Sequence, residues 1–383
     1  MATLRLRTNH KTIQFLGTLV IASIGGFIFT LFGLPIPWLL GSMTAILITS
    51  RFRSVQFLTW PRWVRDTGLI IVGYSIGLSF TQSSLLQMIV KLPSMLLITL
   101  TITIIAAIGA YLVSRLSGVD YPTVLTGSIP GGLTQMIIFA EEVKGIDITT
   151  VTFFQVTRML MIVIFVPLLI FSPLFPMGEI PVTSGTLLNE VTLKEFPVTL
   201  LVFFLFLSFI FAKMGKKLKL PTAYLVGPIL GTAILNVLGF GGPAAPSSLL
   251  DLSQLMIGGY IGLLLKPEKL QNKAKIIPLA LLNGVVMVGA SFALSFIFMH
   301  FYQFSLATAF LSLAPGGMEQ MAIIAHEVNA DLSMVTGYQL FRLFFIYFAV
   351  PPILKWVLLQ HNRRKQKRDT GSGSLAQNHS GRG

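Results

Sequence analysis

Two short stretches concentrate the residues able to do chemistry: SIPGGLTQMIIFAEEV at 128–143 and LAPGGMEQMAIIAHEV at 313–328. Each interrupts apolar sequence with Pro-Gly-Gly and sets polar groups just past the break. Gln135 and Gln320 fall three residues after the second glycine. Thr134 in the first copy is matched by Glu319 in the second, so any site built here is not symmetric. Proline removes a backbone donor, and glycine admits dihedrals that other residues avoid. A helix restarting after such a break presents free N–H groups and the positive end of its dipole. Gly131, Gly132, Gly316 and Gly317 leave room for a ligand to approach the backbone. That is the chemistry of holding a small polar or anionic solute. Glu142, Glu319, His326 and Glu327 are the candidates for carrying a coupled proton. Glu319 and His326, seven residues apart, would share one helix face.

A second pair of motifs follows. VTFFQVTR at 151–158 and VTGYQLFR at 335–342 place Gln155 with Arg158, and Gln339 with Arg342, at a spacing of three. Residues three apart lie on one helical face. Each arginine lies about 16 Å along its helix from the expected caps, Asp147 and Asp331. So deep a charge costs several kcal/mol unless it is partnered. Three partners are open: a hairpin glutamate that locks the fold, an anionic solute, or Glu319 as the other half of a switch.

The elements that must position these groups are membrane helices. Of 383 residues, 54% are hydrophobic and only 11% are charged, with a mean hydropathy of +0.79. Soluble domains carry about 25% charged residues, so this chain could not cover a water-facing surface. The net charge of +14 sits in short loops and a basic tail, as expected for cytoplasmic connections. No nucleic-acid-reading motif accompanies it, and no direct nucleic-acid partner is expected. Cysteine is absent, which excludes disulfides, thiolate catalysis and iron–sulfur ligation. No metal-ligand spacing appears, so no metal or other cofactor is expected, and an enzyme is not. No Gly-rich nucleotide loop ending GK[ST] appears either, so transport would be driven by an ion gradient.

Spanning needs roughly 20 apolar residues. Candidate spans are 13–32, 35–50, 67–80, 88–114 and 148–171, then 196–211, 221–238, 252–265, 276–300 and 332–359. The halves are repeats. LPIPWLLGS at 34–42 matches LPTAYLVGP at 220–228, and 9 of 14 positions agree between 130–143 and 315–328. Chance would give about one identity in fourteen. Cations alternate from loop to loop and do so with opposite sign in the two halves. Arg51, Arg53, Arg62 and Arg65 follow the second helix of the first half; Lys213, Lys216, Lys217 and Lys219 follow the first helix of the second. The positive-inside rule then requires halves inserted upside down, with an odd number of crossings each. The Pro-Gly-Gly segment is the one that fails to cross, as a re-entrant hairpin or a broken helix.

At this point the residues resemble a known family. The LPxxWLLG motif, the paired Pro-Gly-Gly stretches, AHEV and the following YQLFR are similar to the AbrB-type membrane proteins, over about residues 12–358. The resemblance implies a duplicated membrane domain in the bacterial inner membrane, with an assigned role in regulating gene expression or in ammonia oxidation by a monooxygenase.

The expected fold is therefore an all-α integral membrane protein of two inverted repeats, with about ten transmembrane helices plus two Pro-Gly-Gly segments. Repeat one covers 12–175, a linker 176–195, repeat two 196–358 and a basic tail 359–383. The expected partners are the lipid bilayer, a small solute with H+ or Na+, and a second copy of the chain. Both termini are expected in the cytoplasm.

Overall fold

A computed structural model describes residues 9–34, 36–51, 58–143, 145–172, 175, 198–264 and 273–355. The linker and the basic tail fall outside the described residues, as does the 265–272 connection. The described residues form fifteen α-helices and no strand. In the first half these are α1 (Asn9–Leu31), α2 (Pro37–Thr49), α3 (Arg62–Leu78), α4 (Gln82–Val90), α5 (Leu92–Ser117), α6 (Tyr121–Ser128), α7 (Leu133–Glu142) and α8 (Ile148–Ile170). The second half has α9 (Val198–Lys217), α10 (Ala223–Val237), α11 (Ser247–Gly262), α12 (Lys273–Tyr302), α13 (Leu306–Leu313), α14 (Met318–Glu327) and α15 (Leu332–Phe348).

Among the described residues, five helices are long and apolar enough to cross a bilayer: residues Thr12–Leu31 of α1, then α5, α8, α9 and residues Ala274–Tyr302 of α12. The helices α2, α10 and α15 are apolar but shorter. The expected span at 88–114 is carried by α5, with residues 88–90 belonging to α4. The chain turns by 88° between α3 and α4, and Lys91 joins the end of α4 to the start of α5. Thr81 closes a capping box with Ser84 at the start of α4, which stops the α3 helix from running on.

The duplication extends to backbone conformation. Left-handed residues recur at equivalent places: Gly33 and Lys219, Ile36 and Thr222, Gly118 and Gln303, Gly145 and Asn329. A non-glycine residue adopts this conformation at a cost of about 1 kcal/mol. The second half accepts that cost at all four places to turn the chain as the first half does.

Packing sorts the helices into two bundles, each drawn from both halves. One contains α1, α2, α3, α9, α10 and α11; the other contains α5 to α8 and α12 to α15. In the first bundle the halves exchange partners: α3 packs on α10, and α11 packs on α2. Glycines make this approach possible. A Cβ on Gly73 would stand 2.8 Å from the Leu225 carbonyl oxygen; one on Gly258 would stand 2.4 Å from that of Leu39, the residue equivalent to Leu225. The pairs Gly77 with Ile229 and Gly262 with Met43 repeat the exchange one turn on, at 2.8 and 2.7 Å. Small residues let apolar helices meet backbone to backbone, where dispersion contacts are densest. The seam between the bundles runs mainly where α3 meets α14 and α15.

The helices α3 and α11 pass each other antiparallel. Trp60 donates its indole N–H to the Met256 carbonyl at 3.0 Å, the Arg65 guanidinium lies over the Tyr260 ring, and Gly68 abuts Ser253 and Ile257. Ser75 and Ile76, further along α3, face Leu250 and Gln254 near the start of α11.

Candidate functional site: two hairpins capped by buried arginines

The Pro-Gly-Gly segments are hairpins. The Asp147 amide, just beyond α7, donates to the Thr123 hydroxyl at the start of α6 at 3.1 Å. The Asp331 amide donates to the Thr308 hydroxyl in the same way at 3.0 Å. Each chain therefore leaves at the level where it entered. The arms α6 and α7 hold 8 and 10 residues, or about 12 and 15 Å of helix. Asp147 and Asp331 then cap the helices that follow, accepting from Thr149 and Thr150 and from Met334.

A hairpin tip leaves backbone groups without partners: the last carbonyls of the entering arm and the first amides of the leaving arm. The carbonyls are met by the motif pairs. Arg158 donates through Nη1 to the carbonyls of Ser128 at 3.1 Å and Ile129 at 2.8 Å. Its Nη2 donates to Gln155 Oε1 at 2.7 Å. The Gln155 amide in turn donates to Thr126 and Ile129, both at 3.0 Å. The second half repeats the arrangement. Arg342 donates to Leu313 at 3.1 Å and Ala314 at 2.9 Å and to Gln339 Oε1; Gln339 donates to Leu311 at 2.7 Å and Ala314 at 3.1 Å.

Both arginines are buried, at 7% and 4% exposed. Among the described residues neither guanidinium has a carboxylate within 4.0 Å; the ion pairs there are Arg65 with Asp66 and Lys355 with Glu142. The pairing with a hairpin glutamate is therefore not made. Carbonyls at a helix C-terminus take its place, because they carry about half a negative charge and lack donors of their own. Half a charge does not cancel a whole one. The guanidinium charge at each tip is thus only partly cancelled, and the N-terminus of the leaving arm adds to it; at the second tip Glu319, in the first turn of α14, opposes it.

Each tip rests on the other half. The space a Cβ would occupy at Gly131 holds Met136 and, at 3.1 Å, Ile346 Cγ2; at Gly316 it holds Met321 and, at 2.7 Å, Ile162 Cγ2. Ile162 and Ile346 lie one turn beyond Arg158 and Arg342. Neither Gly132 nor Gly317 is left-handed: φ is −65° and −70°. What Gly317 provides is space, because a Cβ there would fall 1.9 Å from Gln320 Oε1.

The other candidates divide by place. Glu319 is half-buried in the first turn of α14, where the Gln320 amide donates to it at 3.1 Å. Gln320 is fully buried, and its Oε1 has no partner; Arg158 Nε is likewise buried and unpartnered. Thr134 and Gln135 lie in α7, but their side chains fall outside the described residues. Glu142, His326 and Glu327 are exposed at the far ends of their arms, and Glu142 pairs with Lys355 at 2.6 Å. Two polar residues close to this architecture lie outside the repeated motifs. Asn283 of α12 donates to the Ser128 hydroxyl at 3.2 Å, and Gln254 of α11 reaches Glu327 at 3.5 Å. Their one signal in the sequence is an amide inside an apolar run. Among the described residues, no three His, Cys, Asp or Glu side chains are grouped to hold a metal.

Fold and site thus define an all-helical, membrane-type protein carrying two arginine-capped hairpins. The chain belongs to the AbrB family: the family model described as Transition state regulatory protein AbrB matches residues 38–358. It is similar to the uncharacterized protein YhjN of Bacillus subtilis (strain 168), 26% identical over 97% of this chain and 100% of that one. It is also similar to a protein of Escherichia coli (strain K12) named as a candidate regulator, AbrB, at 29% identity over 85% of this chain and 90% of that one.

Proposed function

We propose that the protein is a secondary transporter of a small anionic or polar solute, coupled to an ion gradient, with its site between the two hairpin tips. The observation that carries this reading is the pair of buried arginines whose only described partners are carbonyls and a glutamine. Counting each tip as one guanidinium, half a negative charge from the entering arm and half a positive charge from the leaving arm leaves about +1 per hairpin. Glu319 offsets one of the two. A net positive centre in apolar surroundings favours an anion, and Gln320 Oε1 and Arg158 Nε retain unused hydrogen-bonding capacity. Discontinuous helices meeting near mid-membrane are how many gradient-driven transporters bind their solutes.

The reading includes two inverted repeats with ten crossings and both termini in the cytoplasm of a bacterium. Its support is the antiparallel run of α3 past α11, which sets Arg62 and Arg65 at the same end of the first bundle as the C-terminus of α11. The regulatory name of the Escherichia coli relative is compatible with transport when the solute itself is the signal.

A panel of anionic metabolites, screened by thermal shift on purified protein and then tested for flux into proteoliposomes, decides the matter. A solute that both stabilises and crosses, and that loses coupled flux in Glu319→Gln, supports the reading. No stabilising anion, or flux unchanged in that variant, overturns it.

A further inference from the structure

Away from the tips, the seam between the bundles holds a small, partly open pocket of about 30 Å³ lined by Ser75 of α3, Gln254 of α11, and Ile323, His326 and Glu327 of α14, among others. Gln254 is 3% exposed, yet its Oε1 has no hydrogen-bond partner among the described residues. Its amide nitrogen is turned to Glu327 Oε1, at 3.5 Å. The free group is therefore an acceptor, beside a carboxylate. A buried carbonyl-type oxygen left unpaired costs about 1–3 kcal/mol, and such a group calls for an explanation. Asp251 lies three residues before Gln254 on the same face of α11. No lysine or arginine lines the pocket, and none occurs between Val237 and Leu250.

We propose that this pocket binds a monovalent alkali cation, with Gln254 Oε1 and the Glu327 carboxylate as ligands. The occupant is a cation because the unsatisfied group and its neighbour are both oxygen acceptors. A proton would be taken by Glu327 or His326 alone, since a glutamine amide does not titrate; a cation engages the Gln254 oxygen as well. Hard cations take oxygen ligands, and calcium sites gain their affinity from several carboxylates; a single carboxylate beside an amide oxygen matches the charge of a monovalent ion. The ligands come from opposite bundles, so an occupied site ties α11 to α14. Glu319 shares the α14 face of Ala322, Ile323 and His326, about 6 Å deeper than Ile323. Cation occupancy at the seam would thus set the position of the tip. The role as coupling ion rests on the transport reading above; the binding itself does not.

The test is the melting temperature of the full chain in detergent, titrated with NaCl or KCl against choline chloride at constant ionic strength. The proposal expects a saturable rise with sodium or potassium, the two arms identifying the ion, because a ligand bound only to the folded state raises its stability. The rise should vanish in Glu327→Gln and Gln254→Leu. In Gln254→Glu it should appear at lower salt, a gain that no damaged fold produces. Equal shifts in choline, or a saturable shift unchanged in both loss variants, overturns the site. A cation shift without flux of any solute keeps the site and removes the transport reading; solute flux without a cation shift does the reverse.

Discussion

The Arg158 guanidinium donates to the Ile129 carbonyl at 2.8 Å, and this contact replaces the salt bridge that a buried arginine usually needs. Arg342 does the same for Ala314 at 2.9 Å. A planar fork can serve adjacent carbonyls and a glutamine together, which a compact ammonium cannot.

Arg342→Lys should therefore lower stability by about 2 kcal/mol, and Arg342→Leu by more, since buried carbonyls then lose their donors. Melting in detergent measures both. A leucine variant that melts with the wild type would show that the cap contributes nothing.

Glycine substitutions should separate by what they meet. Gly258→Ala drives a methyl against the Leu39 carbonyl, which cannot move aside, whereas Gly131→Ala meets the flexible Met136 side chain at 2.7 Å. Overpacking costs about 1–3 kcal/mol, with Gly258→Ala at the upper end. Gly17 has no neighbour within 4 Å, so Gly17→Ala should be neutral or gain about 0.5–1 kcal/mol from helix propensity. A ranking that does not follow these neighbours would discredit the α2–α11 packing.

Glu142→Gln should change stability by less than about 1 kcal/mol, because its partner Lys355 is half-exposed and surface ion pairs contribute little. The same variant should leave solute-induced thermal shifts unaltered. A loss of solute response would move Glu142 from the periphery to the binding site.

The chain has no cysteine, so single-cysteine labelling in intact cells reads topology directly. Arg65→Cys and Lys216→Cys should react only from the cytoplasmic side, and Ser247→Cys only from outside. Labelling of Arg65→Cys or Lys216→Cys from outside would exclude the inverted arrangement.

Much of this architecture was legible in the chain. Pro130-Gly131-Gly132 and Pro315-Gly316-Gly317 announced a break because proline removes a donor that an apolar helix cannot spare. Repetition of Gln155 with Arg158 in Gln339 with Arg342 marked one helical face in each half. The α3–α4 break was legible as polarity, since Thr81, Gln82, Ser83 and Ser84 separate the expected spans 67–80 and 88–114; the 88° turn there was not, because the angle between two helices depends on what each packs against.

The amino-acid order by itself determined the duplication, the apolar character and the places where helix must break, since these follow from composition and from groups a few residues apart. Only the tertiary structure decided that Arg158 meets carbonyls rather than a glutamate, that α3 packs on α10 while α11 packs on α2, and that Gln254 faces Glu327. Those partners stand far apart in sequence, and which of several chemically acceptable partners a buried group meets depends on how the helices cross.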